Sequence, residues 1–207
     1  RIKMTLQQEM LFKNENNELG HVPGHVKHDG HNLTGFIIFL CSESIIFIAL
    51  FAGYAILKTT APIWLPAGVD GIPVRMPLIN TIILVSSSFV AYFAEVFLHK
   101  KNLTGFRLIW LLTMLMGSYF VYGQYVEWSE LPFTIQSGVF GGMFYILTGF
   151  HGLHVITGIL LMGLMLIRSF IPNNYDNGEL GVISVSLFWH FVDVIWIILF
   201  LLIYIWQ

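Results

Sequence analysis

Five stretches of this 207-residue chain are long and apolar on nearly every face: about Leu33–Leu57, Pro77–Leu98, Leu103–Val126, Val139–Ile167 and Leu180–Trp206. Each exceeds the roughly 20 residues a helix needs to cross a ~30 Å hydrocarbon core. Buried parallel strands also give unbroken apolar runs, but strands usually last only about 4–8 residues. A helix on a water-soluble domain would carry a polar stripe, and these carry none. The expected fold is an all-α membrane protein, a bundle of five transmembrane helices over 33–207. A polar, His-containing N-terminal tail, 1–32, precedes it. Charged residues make up only 11% of the chain, where soluble domains run near a quarter.

The connectors agree. Lys58–Met76 holds Pro62, Pro66, Gly68, Gly71 and Pro73; Lys100–Asn102 reads as a tight turn; Pro132 and Gly138 break the third link, Pro172 and Gly178 the fourth. Residues 1–30 have no apolar core of the secretory-signal kind. With the N-terminus inside, eight Lys and Arg fall on the inner side and only Lys58 and Arg75 on the outer, so N-in/C-out is expected. A formal net charge of −2 leaves no basic excess for phosphates, so nothing supports a nucleic-acid partner. A single cysteine, Cys41, rules out an internal disulfide and a cysteine-based metal site.

Ionisable groups inside the spans carry the functional signal, because each costs on the order of 2.5–3.5 kcal/mol at the bilayer centre. They are Glu43, Glu95, Arg107, His151, His154, His190 and Asp193. Glu95 and Arg107 lie near the inner ends and can snorkel to the interface. At ~1.5 Å per residue, Glu43 and His190 lie ~15 Å deep from the inner face and His151 ~18 Å from the outer one. Glu43, His151 and His190 are thus expected to meet near the midplane. The alternative is that each histidine bonds a nearby carbonyl or hydroxyl. His190 and Asp193, three apart, share a helix face and suit a polar clamp between helices. Gly142, Gly149, Gly152 and Gly163 form a small-residue stripe that would permit close packing, and Ser86, Ser87 and Ser88 suit the second span similarly. His21, His25, His28 and His31 have spacings that could hold Zn²⁺ on a helix, but Gly20, Pro23, Gly24 and Gly30 favour a solvated segment. On residues alone, a stand-alone proton-coupled transporter using Glu43 stays open. So does a b-type cytochrome with His151 or His154 opposite His190 as axial ligands.

Two segments narrow the choice. TGFHGLHVITG (Thr148–Gly158) and WHFVDVIW (Trp189–Trp196) closely resemble signatures of subunit III in the haem–copper oxidase superfamily, that of cytochrome c oxidase. FLCSESIIFIALFAGY, MPLINTIILVSSS and GQYVEWSELPFTIQSGVFGGMFY resemble further family segments in the same order, from about Gly35 to Trp206. The chain resembles the shorter, five-helix prokaryotic form.

The resemblance implies a non-redox subunit of a proton-pumping oxidase that reduces O₂ to water, with no catalytic centre, haem, copper or other metal of its own. Haem and copper would sit in subunits I and II, its partners, with a small subunit IV as a further one. It would hold phospholipids in a cleft, support proton uptake and help subunit I endure turnover. It would lie in a prokaryotic plasma or thylakoid membrane. Glu43 matches the family's carbodiimide-reactive carboxyl, His151 the first histidine of its HGLH segment, and Trp189, His190 and Asp193 its last-helix packing signature. Glu95 and Val96 stand where many relatives have a His pair, and Ile183 where many have a glutamate. Quinol oxidases have a similar subunit, often with leucine where Val192 stands, so Val192 points to cytochrome c as donor.

Overall fold

The structure is a computed structural model that describes residues 29–66, 68–69, 71–172, 175 and 179–206. The compact unit considered below runs Phe36–Gln207. The tail histidines His21, His25 and His28, and the side chain of His31, lie outside the described residues.

Among the described residues there are five long helices and no strand: α1 (Asp29–Thr60), α2 (Arg75–His99), α3 (Leu103–Glu130), α4 (Gly138–Arg168) and α5 (Leu180–Phe200). All five are long and apolar enough to cross a membrane. Each predicted span is present, and most helices overrun the predicted apolar runs at one or both ends. At the end of α1, Thr59 and Thr60 return their hydroxyls to the carbonyls of Ala55 and Ile56, so helix continues where hydropathy has already fallen. Lys101 takes a left-handed backbone (φ 57°) in the turn between α2 and α3, and Asn102 caps α3 through the Gly105 amide, 3.0 Å away.

α5 continues as one π-helical turn, Leu201–Ile205, closed by the Trp206 amide on the Leu201 carbonyl at 2.9 Å. A π turn shifts the side-chain register, and here it accompanies a fully buried Tyr204. The core is aromatic: Trp110, Trp189, Trp196, Phe106, Phe120, Phe140 and Phe144 are all buried. Backbones in lipid gain little from apolar burial alone, so close packing and interhelical hydrogen bonds must hold the bundle. Trp189 shows how. Its ring lies between Gly117 of α3 and Gly158 of α4, where an added Cβ would come within 2.5 and 2.8 Å of the indole. The predicted stripe is looser. Gly152 meets nothing within 4 Å, and Gly142, Gly149 and Gly163 face neighbours at 3.3–3.7 Å.

At the end of the bundle holding the Lys100 turn, Arg107 ties α3 to the C-terminus of α4. Its Nε donates to Ser169 Oγ (3.0 Å), its Nη2 to the Ser169 carbonyl, and its guanidinium covers the Phe170 ring at 4.2 Å. A cation there also meets the negative end of the α4 dipole. The predicted snorkelling arginine is therefore a fastener as well. His99 Nδ1 and Glu179 Oε2 pair at 2.5 Å across the same end. In the loop after α4, Tyr175 donates to the Met165 carbonyl at 2.7 Å, and burial pushes its phenol above the usual range against the pull of Arg168 and Arg107.

Candidate functional site

Glu43 lies near the middle of α1, between Ser42 and Ser44, whose hydroxyls turn back to the carbonyls of Phe39 and Leu40. Those serines satisfy themselves within the helix and leave the carboxylate to find a partner elsewhere. It finds His154 of α4: Glu43 Oε2 stands 3.1 Å from His154 Nε2, with both side chains mostly shielded. The imidazole is walled by Phe47, Phe150 and Phe188, with ring centroids at 5.0, 4.8 and 6.2 Å.

The tautomer follows from the other ring nitrogen. His154 Nδ1 is 2.8 Å from the Phe150 carbonyl, which can only accept, so Nδ1 carries a hydrogen. The contact between Nε2 and Oε2 then holds one shared proton, on nitrogen as an ion pair or on oxygen as a neutral pair. Either arrangement has zero net charge, which is what makes a carboxyl tolerable at this depth.

The expected convergence of Glu43, His151 and His190 does not form. His151 is fully buried against Trp196 (4.8 Å) and Phe120 (5.7 Å), and among the described residues neither ring nitrogen has a hydrogen-bond partner. His190 instead joins α2, with Nδ1 2.9 Å from Ser88 Oγ. The reason is geometric. α4 runs over 31 residues with its centre at residue 153, so His151 and His154 both lie within two residues of that centre and depth alone does not separate them. Three residues also turn the helix so that His151 and His154 point about 60° apart. His154 faces α1 while His151 faces α3 and α5.

The clamp reading of α5 agrees with the geometry. Ser88 receives the His190 contact and donates to Asp193 Oδ2, so one hydroxyl joins both residues to α2. Trp189 Nε1 donates to Ser87 Oγ and Trp196 Nε1 to Thr81 Oγ1, each at 2.9 Å. Ser87 and Thr81 pass their own hydrogens to the Leu84 and Pro77 carbonyls. The seam between α2 and α5 is thus a ladder of side-chain bonds. His190 engages α2 and His154 engages Glu43 and its own helix, while the His151 ring is tilted 32° to that of Trp196.

One cluster escaped the sequence reading. Glu127 of α3 accepts from Gln124 Nε2 (2.9 Å) and from Tyr204 (2.8 Å), and all three are buried. Glu127 stands one residue past the apolar run that ends at Val126, where hydropathy alone predicts connector. The i, i+3 spacing of Gln124 and Glu127 was the available signal; the partner on the π turn was not.

Residues 4–207 match the family model described as cytochrome c oxidase subunit III. A cytochrome c oxidase subunit 3 from Thermostichus vulcanus is 42% identical over 180 residues, covering 86% of this chain and 89% of that protein. One from Synechocystis is 39% identical over 186 residues, covering 89% and 80%. One from Petromyzon marinus is 36% identical over 178 residues, covering 83% of this chain and 68% of that longer protein.

Proposed function

We propose, from the premise that this chain belongs to the cytochrome c oxidase subunit III family, that it serves as a non-redox membrane subunit of a terminal oxidase reducing O₂ to water. Its partners are the subunits that hold haem and copper, its electron donor is cytochrome c, and its N-terminus lies inside a prokaryotic plasma or thylakoid membrane. The names of the relatives support the complex and the donor. The Lys and Arg asymmetry supports the orientation.

The observation that carries the role is the Glu43–His154 pair. A one-proton pair between α1 and α4, walled by aromatic rings, can pass its proton between Nε2 and Oε2 with no change of net charge, and a proton handed on leaves one negative charge that draws in the next. That suits support of proton uptake at the margin of a pump better than chemistry on O₂. The largely uncovered apolar face of α1, with Ile38, Ile45 and Ile48 all more than 60% exposed, supports coverage by lipid or by a partner subunit.

Glu43→Gln in the intact oxidase tests this. Gln keeps a hydrogen bond to His154 and cannot share the proton, so the complex should assemble and begin O₂ reduction at a rate within about twofold of the parent, equivalent to under about 0.4 kcal/mol in barrier. Proton uptake or endurance over many turnovers should fall. Complete loss of O₂ reduction in an assembled complex would refute a supporting role.

A further inference from the structure

The seam between α2 and α5 has two kinds of rung. Trp189 to Ser87 and Trp196 to Thr81 join the helices through neutral groups, each at 2.9 Å. Between them along α5 lie two ionisable side chains, His190 and Asp193, which share the hydroxyl of Ser88. α5 runs Leu180–Phe200, so both stand near its centre, where ionisable groups are costly. Asparagine and glutamine would bond Ser88 as well without that cost. Closing the seam therefore does not account for the choice of an imidazole and a carboxyl.

The bonds of this rung run in one direction. Ser88 donates to Asp193 Oδ2, so its oxygen accepts from His190 Nδ1, 2.9 Å away, and Nδ1 carries the hydrogen. Nε2 is then the acceptor, facing the Ser186 hydroxyl at 3.5 Å. Burial gives the sequence of access. Asp193 is only 4% exposed, whereas His190 is half-buried, so a proton from outside the bundle meets the imidazole before the carboxyl. Toward the end of the bundle holding the Lys100 turn, Glu95 follows Ser88 on the same face of α2, about two turns and ~10 Å further on. Asp193 has no ion-pair partner among the described residues, and its Oδ1 no hydrogen bond there. A carboxyl so placed gains from taking up a proton.

We propose that Asp193 is a proton-holding carboxyl, loaded from His190 through the Ser88 hydroxyl. A proton added at His190 Nε2 makes the imidazolium. The Nδ1–H bond then breaks as a new O–H forms on Ser88, and the former Ser88 hydrogen passes to Asp193 Oδ2. Carboxylate and imidazolium become acid and neutral imidazole, the remaining ring hydrogen stays on Nε2, and the summed charge of the three groups does not change. The tryptophan rungs on either side fix the helix separation that the two short transfers need. The step uses neither Glu43 nor His154 and stands whether or not that pair supports proton uptake.

Infrared spectroscopy of the intact oxidase, grown with heavy-carbon aspartate, tests this. The parent should show a protonated-carboxyl band that moves with the label and is absent in Asp193→Asn. Transfer to D₂O should exchange its proton, and Ser88→Ala should slow that exchange about tenfold, a rise of about 1.4 kcal/mol in barrier, while Ser88→Thr restores it. His190→Gln, which keeps a hydrogen bond to Ser88 but takes up no proton, should slow it to a similar extent. A clamp alone would behave otherwise, because loosening the seam by Ser88→Ala would leave the exchange unchanged or speed it. If Asp193→Asn does not assemble, the labelled band is identified by its shift in Ser88→Ala. Absence of any labelled acid band that answers to these variants, or exchange in Ser88→Ala as fast as in the parent, would overturn the proposal.

Discussion

Helices α1 and α5 are equally apolar, yet 11% of the most apolar window of α1 is buried within the chain against 56% of that of α5. Hydropathy separates membrane from water. It does not separate a helix surrounded by its own chain from one that offers its flank to lipid or to another subunit. The polar residues do. On α5, Trp189, His190, Asp193 and Trp196 all reach side chains of α2. On α1, Ser42, Ser44, Thr59 and Thr60 bond their own helix, and the cross-chain links are Glu43 to His154 and, at the far end, Lys58 to the Trp206 carbonyl. Side-chain hydrogen bonds fasten α5 along its length, whereas those of α1 sit at its middle and its far end, beside the buried Phe47 and Tyr54.

That contrast can be broken by substitution. The largest effect should come from Trp189→Ala on α5. It empties the space between Gly117 and Gly158 and leaves Ser87 without its donor, a change expected to cost about 3–5 kcal/mol. Thermal denaturation of the detergent-solubilised subunit should show a loss of stability of that order; a variant as stable as the parent would mean that α5 is not the anchor described. Ser88→Ala should come next. It strips His190 and Asp193 of their shared hydroxyl at about 1–3 kcal/mol, and the same melting measurement reads it. Smallest is Ile48→Ala on α1, where the side chain is 62% exposed and the isolated subunit should change by no more than about 0.5 kcal/mol. If Ile48→Ala weakens the complex and not the subunit, a partner covers that face. If it weakens the subunit as much as Ser88→Ala does, the two helices do not differ as claimed.

Much of this was legible in the sequence, for definite reasons. Five unbroken apolar runs have one economical fold in lipid, and all five helices are present. Glu43 stood out because a mid-span carboxyl is costly, and Trp189 because it lies within a recognisable signature. Partners were harder. His154 rather than His151 meets Glu43 because the rotation of α4 about its own axis is a tertiary fact that a depth count along the sequence does not carry. The pairing of Ser87 and Ser88 with α5 joins helices far apart in the chain, so neither segment announces the other. Glu127 was misplaced because a charged residue after an apolar run reads as loop, whereas Gln124 and a π turn carrying Tyr204 draw it into the core.

The role proposed for Glu43 turns on the one proton held between its carboxyl and His154. Infrared difference spectroscopy on the intact complex tests it most directly, with the Glu43 carboxyl band assigned by its disappearance in Glu43→Gln. His154→Gln should shift that band while His151→Gln leaves it in place. A band that ignores His154→Gln and moves with His151→Gln would contradict it.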